Sequence, residues 1–438
     1  MIQNGRTLAF HILLRIVKDG AYSNLVLSSA LKDSALSGAE RAFAAALVRT
    51  VIERQITIDY QLSLYLKEPL RKLRPEVCTA LRIGAAQILF MDKVPSSAAV
   101  NESVHILKSG RGTAYAAGLC NAVLRKIASN GLSLPEEDSV FARSVRYSCP
   151  EWLVQMWSQV YGSQNADAIM EAFLQSAPLS IRVNTLRTTM QTLLDRLASE
   201  GVKAYACDTV ENALLLEKGS VPETLSSFRE GLFHVQGIAS QLCCAALDAK
   251  KGETVYDVCA APGGKSFTIA QQMRDEGEIV SCDLYPHRLK LIEDGAARLG
   301  IRCIRTAVRD ASVPDTGFKK ADRVLCDVPC SGLGVIGKKP EIRYKSPKDI
   351  DILSSLQYDI LCVSSSLVRK GGRLVYSTCS LNPKENEEVV LRFLSEHPAF
   401  RPADLLSIGI RSAEGMATLF PQDTQGDGFF IATMTNLE

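Results

Sequence analysis

The sequence predicts a multidomain chain in three parts: an all-α bundle over residues 1–140, a small α+β module over 141–235 and a doubly wound α/β domain over 236–438. Three observations lead there. Apolar residues recur at helical spacing through the whole first third. A loop-rich run, Ser133-Leu134-Pro135-Glu136-Glu137-Asp138, then breaks the pattern. From about residue 236, short apolar runs alternate with longer helical segments, the βαβα order of a mostly parallel sheet.

Global numbers agree with several domains. At 438 residues the chain exceeds one ordinary core. Its 46% hydrophobic and 22% charged residues are those of a soluble globular protein. No apolar run reaches the roughly 18 residues of a membrane span. The start, Met1-Ile2-Gln3-Asn4-Gly5-Arg6, lacks signal-peptide order, so the cytoplasm is the expected compartment and a monomer the default state. The 13 cysteines are odd in number and scattered, many inside apolar runs (Cys78, Cys120, Cys282, Cys362). No C-x-x-C pair exists and none of the five His lies close to a Cys in sequence, so neither a disulfide scaffold nor a metal site is expected.

The helical part is built from periodic stretches at 8–17, 43–51, 77–90 and 100–107, punctuated by Gly20, Pro69, Pro75, Pro95 and Gly110. Helices of this length with short breaks make a bundle. Residues 1–130 hold 17 Lys and Arg against 9 Asp and Glu, a net of +8 in a chain of net +2. Charge alone leaves two readings open: a surface that meets a polyanion, or cations that only solubilise the bundle. In the α+β module, Ser180-Ile181-Arg182-Val183-Asn184-Thr185-Leu186-Arg187 alternates like a strand with its basic residues on one side. The expectation is a solvated edge.

In the last part, 254–259 reads as a strand, 265–274 as a helix and 278–283 as a strand ending on an acid. Residues 286–299 are a helix opened by proline in its first turn, a favoured place. Strands follow at 302–306 and 323–326. A long helix over 350–370 is expected to stop at Gly371-Gly372, before a fifth strand at 373–376. A helix over 383–396 and a strand over 429–434 close the domain.

Loops at the C-terminal ends of these strands carry the reactive residues, which is where open α/β sheets bind ligands. The first is Asp257-Val258-Cys259-Ala260-Ala261-Pro262-Gly263-Gly264-Lys265-Ser266. Its glycine spacing fits neither the dinucleotide fingerprint nor the P-loop. It can still turn tightly and expose backbone N–H groups at a helix start. Asp283 ends the next strand and suits ribose hydroxyls, and Asp310 ends the next loop, where an adenine amino edge would lie. Either acid alone reads as a cap or turn residue. Acids after successive strands read as a nucleoside site. The other two loops are Asp327-Val328-Pro329-Cys330-Ser331-Gly332 and Tyr376-Ser377-Thr378-Cys379-Ser380. Two loop thiols on the edge that holds a glycine loop suggest a soluble cofactor meeting a covalent nucleophile.

Taken together, these loops resemble one family. Residues 256–266, 279–284, 323–334 and 375–380 are similar to the motifs of the S-adenosylmethionine-dependent RNA cytosine-carbon-5 methyltransferases of the Sun group. Gly426-Asp427-Gly428-Phe429-Phe430 is similar to that family's last motif. Upstream, Arg41-Ala42-Phe43, residues 81–90, Val94-Pro95 and Asn121-Ala122-Val123-Leu124-Arg125-Lys126 resemble the NusB-like RNA-binding fold. The combination narrows the resemblance to the bacterial small-subunit ribosomal RNA branch.

The resemblance implies a Rossmann-like class I methyltransferase domain that uses S-adenosyl-L-methionine, with a cytosine of 16S ribosomal RNA, free or in an assembly intermediate, as substrate. It implies Cys379 as the thiol attacking carbon 6 and Cys330 as the thiol assisting release. Around the cofactor it implies Cys259, Ala260, Ala261, Pro262, Gly263, Gly264, Lys265, Asp283, Asp310 and Asp327, without a metal. Departures are small: Ser266 where Thr is usual, Gly237 where an acid is common and Gly337 where a basic residue is common. Another RNA such as tRNA, or a non-enzymatic RNA-binding factor, is the alternative. A cysteine hydrolase is disfavoured, because the His nearest Cys379 in sequence, His397 and His287, are poorly placed to serve it.

Overall fold

The computed structural model describes residues 4–19, 23–175, 177–217, 219–314, 317–410 and 412–438. The chain divides into two compact units, Met1–Leu174 with Lys339–Tyr344, and Gln175–Lys338 with Lys345–Glu438.

Helices build the first unit, among them Gly5–Asp19, Gly38–Glu53, Pro75–Phe90, Ser96–Ser109 and Ala117–Asn130. Their apolar stripes meet in one core that includes Leu8, Ile12, Leu47, Ile58, Leu81 and Leu124. Gly84 sits inside Pro75–Phe90, where glycine costs about 1 kcal/mol relative to alanine. A Cβ there would collide with Leu124, so its absence lets two helices approach closely. The loop run at 133–138 does not end this unit. Helices Val140–Tyr147, Glu151–Tyr161 and Ser163–Leu174 continue it. Thr57 Oγ1 donates to the Val145 carbonyl at 2.6 Å, and the Ile56 N–H donates to Ser148 Oγ at 3.1 Å. Segment Lys339–Tyr344 also belongs here. Its Arg343 is buried, and Nη1 donates to the carbonyls of Glu53 (3.0 Å) and Ser148 (2.7 Å). Both carbonyls lie at helix C-termini, whose orphan acceptors and negative dipole end favour a cation.

The second unit holds two sheets. The smaller is antiparallel in the order β2-β3-β1-β4, from β1 (Leu179–Val183), β2 (Ala204–Ala206), β3 (Ala213–Leu216) and β4 (Phe233–Val235). The expected solvated edge is instead an inner strand: β1 lies between β3 and β4, and Arg182 is 8% exposed. Its Nη1 donates to the Glu211 carbonyl at 2.7 Å. Alternation alone does not distinguish an edge strand from an inner one.

The larger sheet contains β5 (Thr254–Asp257), β6 (Glu278–Asp283), β7 (Ile304–Val308), β8 (Ala321–Asp327), β9 (Val368–Thr378), β10 (Phe400–Pro402), β11 (Met416–Leu419) and β12 (Phe429–Asn436). Its order is β10-β12-β9-β8-β5-β6-β7, with β11 paired to β12. Strands β7, β6, β5, β8 and β9 are parallel, and β12 adds antiparallel to β9. The chain leaves β5 towards β6 and β7 and returns on the other side at β8. This puts the switch point between β5 and β8, where ligands bind. The expected helix over 350–370 is shorter, Leu353–Ser365 preceded by Pro347–Asp351, because Val368 already pairs with Ala321 in the sheet. Among the described residues no helix is long and apolar enough to cross a membrane.

Candidate active site

The loop after β5 is shaped by short-range constraints. The Ala260 N–H donates to the Cys282 carbonyl at 2.7 Å, and the Gly263 N–H donates to the Ala260 carbonyl at 2.8 Å. The Ala261-Pro262 bond is cis. Gly263 has φ +107°, and a Cβ there would lie 2.6 Å from the Phe267 ring, so only glycine fits. It caps helix Gly264–Gln272. Below the loop, Asp257 is fully buried and accepts from Ser266 Oγ at 2.7 Å. Burial pushes its carboxyl up to about 7, against the lowering effect of the Ser266 bond.

A cavity of about 480 Å³ opens at the switch point. That volume lies in the usual range for small-molecule sites. Cys259, Ala261, Asp283, Asp310, Asp327, Cys330 and Cys379 all line it. Ala260, Pro262, Gly263, Gly264 and Lys265 do not: they form the turn behind the wall. Asp283, 4% exposed, accepts from the Tyr285 N–H at 3.1 Å and pairs with Arg288 at 2.9 Å. Asp310 accepts from the Ser312 hydroxyl (2.6 Å) and N–H (3.0 Å), which hold it below the usual carboxylate range. It is therefore a turn residue and a cavity residue at once. Asp327 is held between Lys265 Nζ at 2.6 Å and Ser377 Oγ at 2.9 Å. Burial lowers the Lys265 pKa, and the Asp327 charge more than reverses this, keeping the ammonium charged. This cation is committed to Asp327 rather than to a thiol.

The two thiols meet. Cys330 Sγ and Cys379 Sγ are 3.0 Å apart, and neither is in a disulfide. The loops are also joined through backbone: Gly334 N–H donates to the Cys379 carbonyl at 2.8 Å, and Gly428 N–H to the Gly334 carbonyl at 2.6 Å. The bond to the Cys379 sulfur, then burial, then the charges of Cys379, Glu385 and Asp327 raise the Cys330 pKa well above its ordinary value. Either sulfur can donate its S–H to the other across this distance, so the two thiols titrate as a pair.

Sequence reasoning missed Arg288 and Arg309 in the cavity wall, and Glu385 behind the thiols. Arg309 is 5% exposed, with its guanidinium 5.0 Å from the Phe318 ring centroid. Nothing local in the sequence marks any of the three. Lys338, Lys339, Arg343 and Lys345, just after the Cys330 loop, read in sequence either as cations for phosphates beside the site or as a solvated loop, and three of the four are otherwise engaged. Lys338 pairs with Asp427 at 2.5 Å, Lys345 Nζ donates to the Ser331 carbonyl at 2.9 Å and Arg343 is buried in the helical unit. Lys339 is exposed.

The donor set fits S-adenosylmethionine. Three carboxylates suit a cationic sulfonium ligand with ribose and amino donors, and apolar Val328, Leu284 and Ile360 suit its flat base. A doubly wound sheet with acid-ended strands and paired thiols around one nucleoside-sized cavity defines a cofactor-dependent group-transfer enzyme of the α/β class. The family model described as 16S rRNA methyltransferase RsmB/F matches residues 244–435. The NusB family matches 3–129, and a ferredoxin-like domain of RsmF/B-like methyltransferases matches 149–222. Over the full length, the probable ribosomal RNA small subunit methyltransferase B of Bacillus subtilis (strain 168) is 38% identical, covering 98% of each chain. The ribosomal RNA small subunit methyltransferase B of Citrobacter koseri is 31% identical, covering 99% of each. The crystal structure of PH0851 aligns over 100% of both chains at 27% identity with a TM-score of 0.81. The chain belongs to this family of S-adenosylmethionine-dependent small-subunit ribosomal RNA methyltransferases. The expected order of a NusB-like helical part, a small α+β module and a methyltransferase domain is borne out.

Proposed function

We propose that this enzyme methylates carbon 5 of a cytosine in 16S ribosomal RNA through a covalent bond between Cys379 and the base, while its basic N-terminal part docks RNA phosphates. The observation that carries the reading is the pair of sulfurs 3.0 Å apart at the wall of the cavity that also holds Asp283 and Asp310.

Carbon 5 of cytosine is a poor nucleophile. Cys379 Sγ adds to carbon 6, forming a carbon–sulfur bond and moving electron density to carbon 5, which divides one hard step into easier ones. The cofactor, when bound, supplies a methyl group on a sulfonium. A Cys330 S–H donated across the 3.0 Å to Cys379 Sγ would favour the thiolate there. Asp327, fixed by Lys265 and Ser377, faces the same cavity and accepts from the cytosine edge. After methylation the carbon-5 proton leaves to solvent water, and the electron pair of that C–H bond re-forms the 5,6 double bond. The carbon–sulfur bond breaks with its pair returning to Cys379, whose departing thiolate the Cys330 S–H stabilises by donating to it. The target base must leave any stack to reach the wall.

The two thiols are separated by a denaturing gel with substrate RNA and cofactor. Cys330→Ala should add and methylate but stall, giving a slowly migrating protein–RNA band; Cys379→Ala should give none and lose turnover. The reverse pattern exchanges the roles. Full turnover in both mutants with no band rejects covalent catalysis.

A further inference from the structure

Glu385 is fully buried, in the short turn Pro383–Glu385 that follows the Cys379 loop. One carboxylate oxygen accepts the Ser331 N–H at 2.7 Å and Gln357 Nε2 at 3.0 Å. The other accepts the hydroxyls of Ser331 and Ser380, each at 2.6 Å, and Asn382 Nδ2 at 3.3 Å. Ser331 directly follows Cys330, and Ser380 directly follows Cys379. The two hydroxyls also lie 2.9 Å apart. Gln357 Nε2 reaches the Pro329 carbonyl at 2.9 Å, on the other side of Cys330. The carboxylate therefore holds the residue beside each thiol at once, through five neutral donors.

We propose that Glu385 is the positioning residue of the thiol pair: it splints the Cys330 loop to the Cys379 loop and sets its carboxylate beside both thiols. The proposal rests on the covalent reading above for its catalytic consequence, not for the geometry. Buried acceptors this fully satisfied hold one geometry, because every alternative leaves donors unpaired. The other groups facing Cys330 are Cys379, Asp327 with its Lys265 partner, and Tyr376, whose hydroxyl donates to the Glu385 carbonyl at 2.5 Å. Lys345 lies one residue away, on the Ser331 carbonyl. Of the three carboxylate or thiol neighbours, Glu385 is the one bonded to both loops without a cationic partner among the described residues.

The test uses the full chain with Glu385→Gln, which keeps shape and an acceptor, while the Ser331 and Ser380 hydroxyls can rotate to accept from the amide. Cofactor affinity within about threefold of wild type certifies the fold. Turnover should fall roughly 100-fold, as expected when reacting groups shift by about an ångström. In a Cys379→Ala background, the pH midpoint of iodoacetamide labelling at Cys330, read by peptide mass spectrometry, should move down on adding Glu385→Gln. An unchanged midpoint overturns the proposal, whatever happens to turnover. A lowered midpoint in an enzyme that never forms an RNA adduct sustains the splint and removes the covalent mechanism.

Discussion

Asp283 is fixed in place before any ligand arrives. One carboxylate oxygen already takes the Tyr285 N–H and the other the Arg288 guanidinium, so the side chain cannot swing away from the cavity. Lone pairs remain on both oxygens for ribose hydroxyls. Asp283→Asn exchanges one acceptor for a donor facing those hydroxyls. It should weaken S-adenosylmethionine binding by about 1–3 kcal/mol, the cost of leaving buried donors unpaired. Isothermal titration calorimetry checks this, and unchanged affinity would remove Asp283 from the site. The residue is legible in sequence as an acid ending a strand. Glu385 is not: beside Pro383 and Lys384 it reads as an ordinary acid opening a helix, and its bonds to Ser331 and Gln357 join positions 54 and 28 residues away.

Elements are readable where local chemistry bounds them. Helix Pro286–Leu299 is fixed by proline at its start and by Gly300, in the left-handed region at φ +74°, after its end. Strand β6 has equally sharp limits, Gly277 before it and the acid at its end. The helix expected over 350–370 overruns because residues 366–370 contain no breaker, and only pairing with Ala321 makes Val368 a strand residue. Arg182 escapes a local reading for the same reason: its buried acceptors come from residues 211 and 241. Close approach of loops is a further property no local pattern carries. Gly334 packs between the Gly428 carbonyl and the Cys379 backbone, and a Cβ there would collide with that carbonyl oxygen. Gly334→Ala should therefore destabilise the methyltransferase domain by about 1–3 kcal/mol, the usual range for overpacking. A urea midpoint equal to wild type would mean the loop yields without cost.

At the scale of the whole chain, the distribution of charge makes the remaining prediction. The first 130 residues carry the +8 excess, and they fold with the segment Lys339–Tyr344 inserted among them. Removing residues 1–130 would take away Glu53, one of the two acceptors that hold buried Arg343. A truncated chain would then report a stranded guanidinium as well as weakened RNA binding. Substitution isolates the electrostatic question. Lys67, Arg71, Arg111 and Arg125 are exposed, and changing all four to Ala leaves the helical core untouched. If these cations meet phosphates, each phosphate deprived of its cation should lower the slope of log affinity against log salt by roughly 0.7–0.9. The quadruple variant should bind ribosomal RNA fragments more weakly at low salt and converge with wild type at high salt, while its S-adenosylmethionine affinity stays the same. Filter binding across a salt series measures the slope directly. A slope equal to wild type would leave the excess charge of the helical unit as a solubility feature and move RNA docking to the surface around the thiols.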